Sequence, residues 1–115
     1  MTANTPRSRK QKGAKFQSEI RQKLLETFPI LEEDDIKTAI MGESGTDIKL
    51  SPAARKLIPY SIEAKAQEKI SLRAWWDQTK ANAGKYIPLL ITKQSRREPL
   101  VVMSLEDFLK LIGDK

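Results

Sequence analysis

The segment "YSIEAKA", residues 60–66, supports two readings at once. Side chains alternate across a strand, so Ile62 and Ala64 share one face while Glu63 and Lys65 point together from the other. An apolar face backed by two opposite charges describes a strand whose second face does more than pack. Upstream, "IKTAIM" (36–41) and "TDIKL" (46–50) read as two short strands separated by the turn Gly42-Glu43-Ser44-Gly45. Downstream, Ser71 suits the N-cap of a helix from Leu72 to Ala83 that Gly84 closes. The apolar run "IPLLITK" (87–93) fits a buried strand with Pro88 confined to its start.

The flanks complete the pattern. From Ala14 to Phe28 the residues Phe16, Ile20, Leu24 and Phe28 recur every four positions, with Leu25 beside them, which predicts one helix with one core stripe ended by Pro29. "LEEDD" (31–35) reads as a solvated loop and "SPAARKLIP" (51–59) as a polar, basic connection. After the turn "QSRREP", "LVVMS" (100–104) reads as a fifth strand. Ser104 and Asp107 resemble a capping box opening a last helix, with Leu105, Phe108, Leu109 and Ile112 as its buried face. The order helix, three strands, helix, two strands, helix gives an α/β fold, an α+β sandwich with a mixed sheet flanked by helices.

At 115 residues and 39% hydrophobic, the chain fits one domain with a modest core. Residues 1–12 are expected to be a basic, disordered arm and residues 13–115 the single domain. Five cations, Arg7, Arg9, Lys10, Lys12 and Lys15, fall in the first 18 residues with no acid among them. They account for five of the six net positive charges and suit contact with a phosphate backbone. No apolar run is long enough for a membrane span and no secretory signal is visible, so a soluble, cytoplasmic protein is expected. There is no cysteine and no histidine. Disulfides, Cys-based or His-based metal sites, and Ser-His or Cys-His nucleophile pairs are thereby excluded, leaving carboxylates, carbonyls and water for any metal.

Asp47 precedes Glu63 by sixteen positions, a spacing that lets a hairpin bring the two carboxylates together. Two adjacent carboxylates repel unless a proton or cation lies between them. A divalent cation resolves the conflict, with oxygens from Asp47 and Glu63 and the backbone carbonyl of Ala64. Lys65 then points at an attacking water or a phosphate oxygen. Together the groups describe metal-assisted hydrolysis of a phosphodiester. At about 100° per residue, Glu19 lies roughly 60° from Phe16, at the border of the first helix's stripe, where it can face a cleft.

Asp47 with "EAK" (63–65) resembles the PD-(D/E)XK nuclease superfamily, and the element order resembles its restriction-endonuclease-like core. "KGAKFQSEI" (12–20), "ESGTDI" (43–48), "SIEAK" (61–65) and "AWWDQTKANAGKYIPLLITK" (74–93) look most like small Holliday-junction resolvases and their phage-encoded relatives. The resemblance spans residues 12–112 and implies a Mg²⁺-dependent DNA endonuclease, with Mn²⁺ able to substitute, in the host cytoplasm if phage-encoded. It implies catalytic roles for Asp47, Glu63 and Lys65, an accessory acid in Glu19, a loop position near the scissile phosphate for Ser44 and an accessory glutamine in Gln78. Thr46 stands where the motif has proline.

A symmetric four-way junction needs two coordinated cuts, so a resolvase is expected to act as a homodimer on branched DNA. Arg55 and Lys56 would add to the phosphate contacts of the arm. Two rivals compete: another endonuclease of the same fold serving restriction, homing or repair, and a DNA-binding module without catalysis. An interaction protein docking through Trp75 and Trp76 leaves Asp47, Glu63 and Lys65 unexplained. For the tryptophans, core packing comes first, then a subunit interface, then base stacking.

Overall fold

The structure is a computed structural model, and it describes residues 6–40 and 43–114. In chain order the elements are helix α1 (Pro6–Thr27), a 3₁₀ turn (Glu33–Asp35), strands β1 (Ile36–Thr38) and β2 (Ile48–Leu50), and helix α2 (Pro52–Leu57). Strand β3 (Tyr60–Ala66), helix α3 (Leu72–Asn82), strands β4 (Ile87–Lys93) and β5 (Leu100–Val102), and helix α4 (Leu105–Gly113) follow.

β3 and β4 run parallel in the register Tyr60↔Ile87 to Ala66↔Lys93, joined by α3 as the crossover that parallel strands require. β5 pairs antiparallel with β4 and forms an edge, so the sheet order is β3-β4-β5. β1 and β2 form a separate antiparallel pair, Ile36↔Leu50 to Thr38↔Ile48. The fold is therefore the α+β arrangement of helices on a mixed sheet that the sequence predicts.

The alternation read from "YSIEAKA" holds. Ile62, Ala64 and Ala66 face α1, where Phe16 and Ile20 are buried and Leu24, Leu25 and Phe28 are packed beside them. Burying Phe16 or Ile20 contributes roughly 1.5–3 kcal/mol each, which fixes α1 across that face. Ser61 and Glu63 face α3 instead: the Ser61 hydroxyl donates to the Asn82 carbonyl at 3.5 Å. α3 buries Trp75, Thr79 and Ala83, a stripe at four-residue spacing, while Leu72 at its start is exposed. Core packing is thus the role of Trp75. Gly84 ends this helix with a positive φ of 58°, a conformation that costs glycine no Cβ clash.

Several expectations are corrected. α1 starts at Pro6 rather than near Ala14, so residues 6–12 of the expected disordered arm are helical, while residues 1–5 lie outside the described residues. Those roughly two turns carry no apolar stripe because they run past the core; Lys12 instead reaches Glu68 at 3.7 Å and the Ser95 hydroxyl at 3.4 Å. "SPAARKL" is not a bare connection but helix α2: the Ser51 hydroxyl accepts from the Ala54 N–H, and Pro52 occupies the first turn where its missing N–H costs nothing. Ser71 stands at the N-cap of α3 without its side chain capping, whereas Ser104 does accept from the Asp107 N–H at 3.0 Å. β1 is shorter than expected because the Ile40 N–H turns to the Glu43 carboxylate at 2.8 Å; Met41 lies outside the described residues. The apolar residues of α4, expected to be buried, are all exposed. Among the described residues no helix is long and apolar enough to cross a membrane.

Candidate active site

The loop Gly45-Thr46-Asp47 joins the two sheets. The Asp47 N–H donates to the Ile62 carbonyl at 3.2 Å, the Thr46 hydroxyl donates to the same carbonyl at 2.7 Å, and the Ala64 N–H donates to Asp47 Oδ2 at 2.8 Å. The Asp47 carboxylate thus accepts from the free edge of β3 where a neighbouring strand's backbone carbonyl would otherwise do so. A strand residue sends its N–H and C=O to the same edge, and alternate residues use opposite edges. Because Ala64 gives its N–H to Asp47, its carbonyl leaves on that edge too, as required of the oxygen expected to assist a metal.

Glu63 is 2% exposed and accepts from the Asn82 amide at 2.8 Å through Oε1. Burial pushes its carboxyl up from 4.5 to about 7; Asn82 opposes the shift, Asp47 adds to it by charge and as a hydrogen-bonding neighbour, and Lys65 pulls it back down. Asp47, Glu63 and Lys65 are therefore one electrostatic unit, as the sequence spacing predicts. Each carboxylate has one oxygen anchored by the protein, Asp47 Oδ2 by Ala64 and Glu63 Oε1 by Asn82, and the two carboxylates are also hydrogen-bonding neighbours of each other. Lys65 is half-buried, forms no salt bridge among the described residues and acts on Glu63 through its charge.

This donor set fits a hard divalent cation. Two anchored carboxylates whose charges conflict, with a carbonyl on the same edge, offer oxygens alone, the chemistry of Mg²⁺ or Mn²⁺ sites. Asp47, Glu63 and the Ala64 carbonyl would hold it.

The other expected site residues lie elsewhere. Glu19, on α1, faces the opposite side of the sheet from Glu63 and pairs with Lys93 at 3.8 Å. It lines a cleft of about 240 Å³ with Lys12, Lys15, Phe16, Ala66 and Arg96. Among the described residues no three acids gather, so Glu19 does not join Asp47 and Glu63. Ser44 is exposed, and its carbonyl, not its hydroxyl, accepts from Lys49 at 3.4 Å. Gln78 is exposed on α3. Asn82, one turn further on, is the α3 residue that reaches Glu63: its amide bridges Glu63 and the Gly45 carbonyl, the latter at 3.3 Å. The sequence holds a signal for it, since Gln78 and Asn82 share one side of α3 at four-residue spacing.

Of the expected phosphate contacts, Arg7, Arg9, Lys10 and Lys15 are exposed along the first turns of α1, and Lys56 is exposed on α2. Arg55 is engaged internally: it stacks on the Tyr86 ring, 3.8 Å from its centroid, and donates to the Tyr60 carbonyl at 2.9 Å.

The model of the family described as "Phage putative PDDEXK endonuclease" matches residues 8–114 of this chain. No curated protein and no solved structure matches it.

Proposed function

Since the chain belongs to that phage PDDEXK endonuclease family, we propose that it is a Mg²⁺-dependent DNA endonuclease acting on branched DNA as a junction resolvase. The observation that carries the reading is the pairing of Asp47 with the buried Glu63, each anchored through one oxygen, beside the half-buried Lys65. A divalent cation, when bound, supplies a Lewis acid and a positive charge beside the scissile phosphate. Asp47 and Glu63 would hold it, and the Ala64 carbonyl would add a neutral oxygen. Lys65 donates from its ammonium to a non-bridging phosphate oxygen, offsetting charge that grows as water attacks phosphorus and the P–O bond to the leaving oxygen breaks. Asn82 keeps Glu63 in one rotamer and fastens the Gly45 carbonyl, so the loop bearing Asp47 keeps its distance from β3. The exposed cations at the start of α1 take neighbouring phosphates.

Branched DNA as substrate, and the pair of active sites that a symmetric junction demands, rest on the resemblance of "KGAKFQSEI", "ESGTDI" and "SIEAK" to junction resolvases. The test is incubation with a four-way junction, linear duplex and single strands, each with Mg²⁺ and with excess chelator. Paired, symmetric nicks on the junction alone, abolished by chelator, are expected. Equal cutting of linear duplex would reassign the enzyme to another branch of endonucleases; failure to cut anything would overturn the catalytic reading.

A further inference from the structure

Helix α3 begins without a cap. Ser71 stands at its N-cap, but its side chain makes no capping bond, and the helix's first bond runs from the Trp75 N–H to the Ser71 carbonyl at 3.0 Å. The N–H groups of Leu72, Arg73 and Ala74 therefore have no acceptor within the helix and stand at the positive end of its dipole. Near that end lies Thr92, 5% exposed, whose Oγ1 is the one buried side-chain polar atom without a hydrogen-bond partner among the described residues. Thr92 projects from the α3 face of the sheet, in register with Lys65 of β3 and Leu100 of β5. Valine has the same shape and avoids the cost of burying an unpaired hydroxyl, so this hydroxyl calls for a partner from outside the chain. Thr92 and Ile70, two residues before α3, line one cavity of about 200 Å³ with Arg97, Glu98 and Leu100. Its walls are fastened together: the Gln94 amide donates to the Glu68 carbonyl at 2.7 Å, and the Ser95 N–H and hydroxyl donate to the Glu68 carboxylate at 3.0 and 2.6 Å.

We propose that this cavity binds a backbone phosphate of the DNA strand, close to the scissile one. Unbonded N–H groups at a helix start favour a negative group. The segments that frame the cavity, 67–73 and 93–98, carry Lys69, Arg73, Lys93, Arg96 and Arg97 against Glu68 and Glu98. Lys93 pairs with Glu19, Arg96 lines the cleft on the α1 side, and Glu68 is shared by Ser95 and Lys12, which leaves Lys69, Arg73 and Arg97 against Glu98. Thr92 adds a neutral donor, because one turn about χ1 exchanges the places of its methyl and hydroxyl. Position selects DNA as the source. The cavity lies at the carboxyl ends of the parallel strands β3 and β4, where sheets of this kind take their ligands, and one or two strands across from Lys65. At about 4.8 Å per strand the offset is roughly 5–10 Å, or a few nucleotides at about 3.4 Å each. A DNA strand lying over Asp47 and Glu63 thus passes Lys65 and reaches the cavity.

The choice of DNA as the source rests on the nuclease reading, so the test reads binding in excess chelator, where cleavage plays no part. Inorganic phosphate titrated into the full chain is expected to move the amide NMR signals of Leu72, Arg73 and Ala74 saturably at millimolar concentration, while chloride at equal ionic strength moves them far less. Arg97→Gln and Thr92→Val should each weaken phosphate binding roughly tenfold, and Thr92→Ser, which keeps the hydroxyl, should bind as the native chain does. Thr92→Val should unfold in urea no sooner than the native protein, since the hydroxyl it removes has no internal partner. On duplex DNA, Arg97→Gln should flatten the slope of log affinity against log salt by about 1 unit, and Thr92→Val should lower affinity with the slope unchanged. Amide signals indifferent to phosphate, or a Thr92→Val protein that binds phosphate normally or unfolds earlier, would overturn the site. Phosphate binding combined with DNA affinity indifferent to both substitutions would overturn DNA as the source and assign the cavity to a free phosphate-bearing ligand. A chain that passes these tests but cuts no DNA with Mg²⁺ would count against the nuclease reading alone.

Discussion

Replacing Glu63 by glutamine should stabilise the metal-free protein at alkaline pH while removing its activity. The folded Glu63 carboxyl sits at about 7 against 4.5 unfolded, raised first by burial. A raised carboxyl contributes stability that is complete below 4.5 and lost as pH climbs through about 7, because the unfolded chain releases its proton first. A shift of that size corresponds to about 3 kcal/mol between acid and alkaline solution, undiminished by solvent because the side chain is 2% exposed. Glutamine has nothing to ionise. It keeps the bond from Asn82 through its Oε1 and can offer its amide to Asp47, where the native carboxylate meets a like charge. In excess chelator, urea unfolding followed by circular dichroism should show the two proteins within about 1 kcal/mol at pH 5 and Glu63→Gln more stable by up to about 3 kcal/mol at pH 8.5. For a chain of this length the alkaline difference is about 10 °C in Tm. Adding Mg²⁺ at pH 8.5 should close the gap by stabilising the native protein and leave the variant unmoved. A stability difference independent of pH would refute the reasoning, since it would mean that Glu63 does not titrate between the two conditions.

Lys65→Ala should fold and bind DNA as the native chain does yet lose on the order of 10²–10³ in single-turnover cleavage; a mainly unfolded variant would show the ammonium to be a structural counter-charge. Asn82→Ala frees the Glu63 rotamer and should weaken Mn²⁺ binding roughly 10- to 100-fold by calorimetric titration, the usual cost of removing a group that orients a metal ligand; unchanged affinity would make Asn82 a helix-end residue only. Changing Arg7 and Lys10 to glutamine should flatten the slope of log affinity against log salt by up to about 2 units, and an unaltered slope would place those cations away from DNA. Arg55→Ala should instead leave the slope alone and lower stability by about 1–2 kcal/mol through loss of the Tyr86 stacking and the bond to the Tyr60 carbonyl; a changed salt slope would return Arg55 to the DNA surface.

What could be read from the sequence depended on how local its cause was. β3 was legible because a period of two fixes which side chains share a face, whatever lies around them, and Asp47 followed because a hairpin has few ways to return beside that strand. Gln78 was named through the resemblance, which implies an accessory glutamine; Asn82 lies on the same side of α3, and the point along the helix where Glu63 arrives is set by the length and path of residues 67–71, which carry no periodic signal. Glu19 was given a site role by the resemblance, and its border position said only that it could face a cleft; that border looks onto the α1 side of the sheet, where Lys93, seventy-four positions away in sequence, pairs with the carboxylate. α2 was missed although its Ser-Pro start was visible, since a six-residue helix burying a single alanine has no stripe to detect. The apolar face of α4 was recognised correctly as apolar. Its burial was inferred from chemistry alone, and among the described residues no other element covers it.

The bond from the Ala64 N–H to the Asp47 carboxylate has a consequence for how such a site can decay. A mutation that removes this side chain also removes one of the three bonds that stitch the loop after β1 to the main sheet, beside those of the Asp47 N–H and the Thr46 hydroxyl to the Ile62 carbonyl. Genetic drift toward alanine at residue 47 is therefore penalised even in a descendant with no need to cut anything, whereas asparagine, which keeps an acceptor oxygen and gives up the charge, is a tolerated exit. Lys65 forms no salt bridge among the described residues, so its replacement should mark the architecture less. Copies of this chain that have lost activity should thus lose the lysine first and keep an oxygen at residue 47 longest.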